Sequence, residues 1–335
     1  MDVMVETYAG LHRHGGRLAE ARRLFPNAPG PWIDLSTGVN PVPWLGEGAA
    51  DDSRLPDPAA IMALESAAAD YFGVAADQVA AVPGTELALR LLPILTRAPE
   101  VGIVLPTYGS HEQAWSARDG MVRRLARTDL DLRGLNALVL GNPNNPDGAA
   151  MPRDEVLELA ARMERQNGWL IVDEAFADAT PEISVANRVS GRLIVLRSFG
   201  KFFGRPGLRL GFVVAAREQL GRLKELVGEW PVSAQATIVG AAAYADQAWQ
   251  RATRAQLPED AARMDQDLKA AGFTVIGGTG LFRLAAHGAA RGRFRRLAER
   301  GILTRPFADQ PTWLRFGLPK PEERARVAAA LGACA

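Results

Sequence analysis

Five short apolar runs constrain the fold of this chain more than any other feature: VGIVL from 101, LNALVL from 135, GWLIV from 168, RLIVL from 192 and LGFVV from 210. Helical stretches separate them. Strands this apolar belong in a sheet covered by helices on both faces, and crossovers through helices make neighbouring strands parallel. The expected fold class is α/β, with a mainly parallel, doubly wound sheet in a large domain and a smaller α/β domain beside it. In such sheets ligands lie beyond the carboxyl ends of the strands. Tyr108, Asn145, Asp173, Ser198 and Lys201 all follow closely on these runs, so polar side chains collect at the edge where chemistry is expected.

The rest of the chain fits around that sheet. Residues 1–56, rich in Gly and Pro, read as an irregular arm packing on the small domain and the active site; 57–240 read as the large domain and 241–335 as the small one. The segment PAAIMALESAAADYFGV from Pro58 has helical periodicity ending near Gly73, and TELALRLLPILT at 85–96 reads as a second helix after a turn at Pro83 and Gly84. A long helical region covers about 216–271. Beyond it, GFTVIGGTGLFRLA suggests two short strands, followed by a helix and the segments GILTRPF and WLRFGLP. With 335 residues, 47% hydrophobic and 23% charged, the composition is that of an ordinary globular protein with two unequal domains. A net charge of +1 provides no field for nucleic acid or a membrane surface, and the basic run ARGRFRRLAERG reads as a solvated helix face. The single cysteine, Cys334, allows no intrachain disulfide, and MDVMVETYAG resembles neither a signal peptide nor an anchor, so the expected location is the cytoplasm.

Three motifs carry chemistry: GNPNNPDG at 141–148, IVDEAFAD at 171–178 and RSFGKFFGRPGLRLG at 197–211. A lysine condenses with an aldehyde, an aspartate keeps a pyridine nitrogen protonated, and an asparagine hydrogen-bonds a phenolate oxygen. Lys201, Asp173 and Asn145 supply these three groups. Ser198 and Arg209 flank the lysine with a hydroxyl and a guanidinium suited to a phosphate, and Gly84 and Thr85 open a helix whose free N–H groups suit the same anion. Tyr108 in PTYGSHEQAW can stack on a flat ring. Taken singly these residues have plainer readings: a solvated lysine, a helix N-cap at Asp173, a turn at NPNNP, a core tyrosine. Taken together they describe a pyridoxal phosphate (PLP) site. Other chemistries fit less well. GGTG at 277–280 precedes the strand-like LFRLA where a dinucleotide-binding helix should begin, and no GxxxxGK[ST] loop occurs. The histidines His12, His14, His111 and His287 have no cysteine cluster or HExxH helix, so no metal site is expected.

On these residues the chain resembles, over nearly its whole length, the fold type I PLP enzymes of the class I and II aminotransferase superfamily. Within it, HRHGG at 12–16 and DLSTGVNPVPW at 34–44 make it most similar to the threonine-phosphate decarboxylases of cobalamin biosynthesis, with histidinol-phosphate aminotransferases as close relatives. The resemblance implies that Lys201 forms the imine, Asp173 binds the pyridine nitrogen, Asn145 binds the phenolate oxygen and Tyr108 stacks on the ring. Gly84, Thr85, Ser198 and Arg209 would hold the phosphate, Arg305 and Arg315 the substrate anions, while His14, Gly38 and Asn40 close over the substrate. It further implies decarboxylation of L-threonine O-3-phosphate, a homodimer, and a corrinoid-pathway enzyme that receives the product; no nucleic acid or membrane partner is expected. The alternatives are a histidinol-phosphate or other amino-acid aminotransferase, and a catalytically silent regulator or assembly partner of the same fold. Against the silent protein stand the intact Lys201 and Asp173 and an arm without a helix-turn-helix pattern. Two positions depart from the resemblance: Phe176 stands where many relatives have a tyrosine beside the ring, and Leu55 in SRLPDP where relatives often have one reaching the neighbouring subunit's phosphate.

Overall fold

The computed structural model describes residues 8–46, 48, 53–118 and 120–334. They form two units: an arm unit of Met1–Val42, Pro146–Gly148 and Thr253–Ala335, and a sheet unit of Pro43–Asn145 and Ala149–Ala252.

The arm opens with α1 (Ala9–Arg13), α2 (Leu18–Leu24) and the two-residue strand β1 (Ile33–Asp34). The expectation of little regular structure here missed α2. Its sequence, LAEARRL, consists of good helix formers, but Gly15, Gly16 and Pro26 on either side make the segment read as loop.

In the sheet unit, α3 (Pro58–Phe72) begins with Pro58 at its first position and with the Asp57 side chain accepting from Ala59 N–H. It ends where Gly73 turns left-handed at φ 70°. There follow β2 (Val79–Val82), α4 (Thr85–Thr96), β3 (Glu100–Leu105), α5 (Ser110–Ser116), β4 (Met121–Ala126), β5 (Ala137–Gly141), α6 (Arg153–Arg165), β6 (Trp169–Asp173), β7 (Leu193–Ser198), the short α7 (Phe199–Phe202) and β8 (Gly211–Val214). The seven strands lie in the order β2-β8-β7-β6-β5-β3-β4. From β4 to β7 all neighbours are parallel, whereas β8 runs antiparallel to both β7 and β2. The fold class is therefore α/β with a mostly parallel central sheet. Leu89, Leu92 and Trp115 from the helices close over Ile103, Val139, Ile171 and Ile194 on one sheet face. Each such buried side chain contributes about 1.5–3 kcal/mol. The helical region after the sheet consists of three helices, α8 (Arg217–Val227), α9 (Ala234–Ala245) and α10 (Gln247–Ala270).

The arm unit continues with β9 (Thr274–Thr279), β10 (Phe282–Ala286), α11 (Ala290–Ala298), β11 (Ile302–Leu303), β12 (Arg305–Pro306), β13 (Trp313–Gly317) and α12 (Arg324–Gly332). Four of these strands form an antiparallel sheet, β12-β13-β10-β9, and β1 of the arm pairs in parallel with β11 through Ile33 and Ile302. The basic run in α11 is not all solvated. Arg293 is buried, its guanidinium 5.1 Å over the Phe273 ring, and it donates to the Ala271 carbonyl. Among the described residues, no helix is long and apolar enough to cross a membrane.

Candidate active site

Asp173 closes β6 in register with Gly141 on one side and Leu196 on the other, which places its carboxylate at the carboxyl edge of the sheet. Both oxygens are held: Oδ1 accepts from Ala175 N–H at 3.0 Å, and Oδ2 from His111 Nε2–H at 3.0 Å. The bond to Ala175 is of the capping kind, but only a short 3-10 turn, Ala177–Ala179, follows, so helix capping does not account for the residue. His111 is buried on α5 and orients the carboxylate. Sequence reasoning counted this histidine only as a failed metal ligand.

Lys201 lies in α7, directly after β7, half-buried, with Nζ 5.5 Å from the centroid of the buried Phe176 ring. Asp173 and Lys201 thus stem from adjacent strands. Register places Ser198 opposite Gly211, and a Cβ built on Gly211 would lie 2.8 Å from Thr85 N. Gly84, at φ 82°, caps α4 without a side-chain hydrogen bond, and a Cβ there would come within 2.6 Å of Arg209 Nη2. Only glycine permits that approach. The four residues assigned to a phosphate, Gly84, Thr85, Ser198 and Arg209, therefore meet around one helix N-terminus.

Tyr108 donates its hydroxyl to Glu86 Oε2 at 3.2 Å, which ties the ring to the first turn of α4, and its ring meets His111 edge-on at 6.2 Å. Burial pushes its phenol above the ordinary value. The turn carrying Asn145 is built by the neighbouring asparagines. Asn142 exchanges two hydrogen bonds with the Met151 backbone at 2.7 and 3.1 Å, and Asn144 accepts from Thr107 Oγ1 at 3.0 Å and donates to the Pro106 carbonyl at 2.6 Å.

The residues assigned to substrate all lie in the arm unit. Arg305 and Arg315 are direct cross-strand partners, so both side chains share one face of the β12–β13 pair. Arg315, buried, donates to Ser36 O at 2.8 Å and lies over Phe282; Arg305 donates to Leu11 O at 3.1 Å and lies over Phe307. Both thereby touch the arm. Two guanidiniums held opposite each other repel in isolation and favour an anion beside them. On the arm, His14 is half-buried, Gly38 and Asn40 are buried, and Asn40 Oδ1 accepts from Val42 N–H at 3.0 Å. Gly16 N–H donates to Ser36 Oγ at 2.8 Å, and a Cβ on Gly15 would lie 2.2 Å from Ser36 O, so the HRHGG segment rests directly on the segment that begins at Asp34.

A carboxylate, a lysine and a helix-terminal anion cradle at the edge of a mostly parallel sheet define a class of protein. Residues 47–331 match the family described as aminotransferase class I and II, and the chain belongs to that family. It is 43% identical over 310 residues to a threonine-phosphate decarboxylase of Sinorhizobium sp, covering 91% of this chain and 92% of that one. With the threonine-phosphate decarboxylase of Pseudomonas aeruginosa it shares 40% over 324 residues, covering 95% and 96% of the two chains. The fold is also that of the histidinol-phosphate aminotransferase of Sinorhizobium meliloti, solved in complex with pyridoxal-5'-phosphate, at a TM-score of 0.83, 19% identity and 94% coverage of each chain.

Proposed function

We propose that this chain is a PLP-dependent lyase that decarboxylates L-threonine O-3-phosphate to (R)-1-aminopropan-2-yl phosphate, a step of cobalamin biosynthesis. The observation that carries this reading is the nearly full-length likeness, at 40–43% identity, to two proteins named threonine-phosphate decarboxylase. The residues of the sheet unit fit the cofactor: a carboxylate held by His111 for the pyridine nitrogen, a cradle closed by Gly84 and Arg209 for the phosphate, and the half-buried Lys201 for the aldehyde. Bound PLP supplies an electron sink for the negative charge left at the substrate α-carbon.

The side chains have separable tasks. Asp173, oriented from both oxygens, would keep the ring nitrogen protonated, and Asn145 would donate to the ring oxygen. Tyr108 covers the ring face. Lys201 would hold the cofactor through its aldehyde and would be the proton donor to the substrate α-carbon. Arg305 and Arg315 would hold the substrate's phosphate and carboxylate. His14, Gly38 and Asn40 shield the substrate from water. The same reading includes a cytoplasmic homodimer and a corrinoid-pathway enzyme that takes the product.

The test is carbon dioxide release from L-threonine O-3-phosphate by the purified, PLP-loaded protein, with histidinol phosphate and 2-oxoglutarate as the parallel assay. Carbon dioxide is the expected product; glutamate in the parallel assay without carbon dioxide would make the chain an aminotransferase. Arg305→Ala and Arg315→Ala should each raise KM for phosphothreonine about ten- to a hundredfold, the effect of one lost charge-assisted hydrogen bond. An unchanged KM in both variants would refute their assignment.

A further inference from the structure

Behind the strand ends that carry the site lies a cluster of charge built on the chain neighbours of Asp173 and Ser198. Strand alternation places Asp173 and Ser198 on one face of the sheet and their chain neighbours Glu174 and Arg197 on the other. The ladder runs on through Glu174, whose N–H donates to Leu196 O at 2.9 Å, so the alternation holds at this position. Arg197 is 3% exposed and Glu174 fully buried. The guanidinium donates through Nη1 to Glu174 Oε2 at 2.7 Å and to Ser184 Oγ at 3.0 Å, and through Nη2 to Asp178 Oδ1. Its Cζ lies 4.8 Å from the Phe72 ring centroid. Glu174 is held in turn by Ser184 Oγ at 2.5 Å and by Val185 N–H at 2.7 Å, and Tyr71 donates to Asp178 Oδ1 at 3.1 Å. Burial opposes the charge on Arg197, but Asp178 and Glu174 outweigh it and raise its pKa, so the cation persists at any working pH.

A cation and two carboxylates taken out of water are a poor source of net stability compared with apolar side chains of similar volume. What they supply is location. The ion pair joins the residue after Asp173 to the residue before Ser198, and Lys201 follows in the helix that starts there. We propose that Glu174, Arg197 and Asp178 are positioning residues for the cofactor site: together they fix the end of β6 against the end of β7, and thereby Asp173 against Ser198 and Lys201. The proposal rests on the assignment of Asp173 and Lys201 to PLP made above.

Three variants test it: Glu174→Gln, Arg197→Met, and the uncharged triple variant Glu174→Gln/Arg197→Met/Asp178→Asn. Each is compared with Met163→Ala, a cavity in α6 at the other end of β6. Three quantities are read: the Kd of the apo-protein for PLP, the pKa of the Lys201 imine by absorbance titration, and Tm. A misplaced Asp173 leaves the ring nitrogen less protonated, which removes a positive charge near the imine and raises its pKa. All three charge variants should bind PLP about tenfold more weakly, with an imine pKa raised by about one, a modest case of a lost neighbouring charge. In the triple variant these shifts should persist even where Tm returns towards the wild-type value. Met163→Ala should lower Tm and leave both cofactor readouts in place. Charge variants that lower Tm yet keep the wild-type Kd and imine pKa would overturn the proposal and leave the trio a structural ion cluster. Wild-type protein that forms no imine with PLP would overturn the cofactor assignment itself.

Discussion

Phe176 shows how much one side chain can set. Its ring centroid lies 5.5 Å from Lys201 Nζ, and it offers no hydroxyl at a position where the family resemblance implies a tyrosine. A phenol there would donate to the cofactor's ring oxygen and stabilise the anion that accompanies the deprotonated imine. Under the proposed assignment Asn145 would carry that charge without such a phenol, and the imine would hold its proton to higher pH. Phe176→Tyr should therefore lower the imine pKa by about one, read by absorbance titration of the loaded protein; an unchanged or higher value in the variant would sink the argument. That Asp173 and Lys201 stand at strand ends was legible in the sequence, because each lies just past an apolar run. His111 was not. Its meaning lies in a contact with Asp173 across 62 positions of chain, and nothing in PTYGSHEQAW marks the imidazole as facing that strand end. Arg197 was hidden for the same reason, since its two carboxylate partners are visible only once β6 and β7 lie side by side.

Among the elements, the runs that became β3, β5, β6, β7 and β8 were legible through their apolar composition. β2 and β4 were not. VAAV is short and small, and MVRRLA carries arginines on an edge strand, so neither stands out as a buried run. Nor does composition reveal that β8 turns back antiparallel, because direction follows from the short link through α7 and not from the strand's own residues. GGTG, set aside as a dinucleotide motif, has a structural task. A Cβ on Gly277 would lie 2.0 Å from Asp147 O, and one on Gly148 would lie 2.1 Å from Gly278 O. Gly148 and Gly278 also take positive φ of 70° and 147°. The motif thus lets β9 lie backbone to backbone against the segment that follows Asn145 and Pro146. Gly277→Ala should destabilise the protein by about 1–3 kcal/mol, the usual effect of overpacking. Gly288→Ala, whose Cβ meets nothing within 4 Å, should be neutral or slightly stabilising. Thermal unfolding of the two variants side by side decides the matter, and equal Tm values would refute the close-contact reading.

At the scale of the whole molecule, the chain changes units at Val42–Pro43, on either side of Pro146–Gly148, and at Ala252–Thr253, the last inside α10. A boundary within a continuous helix leaves no break in periodicity for sequence reasoning to find. The surface of the sheet unit poses a different question. Leu45, Leu55 and Met62 are 75%, 66% and 64% exposed, and Ile238 on α9 is 39% exposed. They belong to connected pieces of structure: Leu55 leads into α3, Met62 lies on it, α9 packs against it, and Gln235 of α9 donates to Gly48 O, a few residues past Leu45. Exposed apolar side chains on connected elements are candidates for a surface that another protein covers. A second copy of the chain is the occupant that the proposed homodimer requires. In such a homodimer Leu55 would contribute apolar contact where a tyrosine would have contributed a hydrogen bond to phosphate, so the interface would persist while that polar contact is lost. Sedimentation at micromolar concentration should show a particle of twice the chain mass. Replacing Met62 and Ile238 together by glutamate should shift it to monomer, because two buried carboxylates per subunit would face each other without partners. A wild-type protein that sediments only as monomer would remove the homodimer from the proposal, and a double variant that stays dimeric would move the interface to another face.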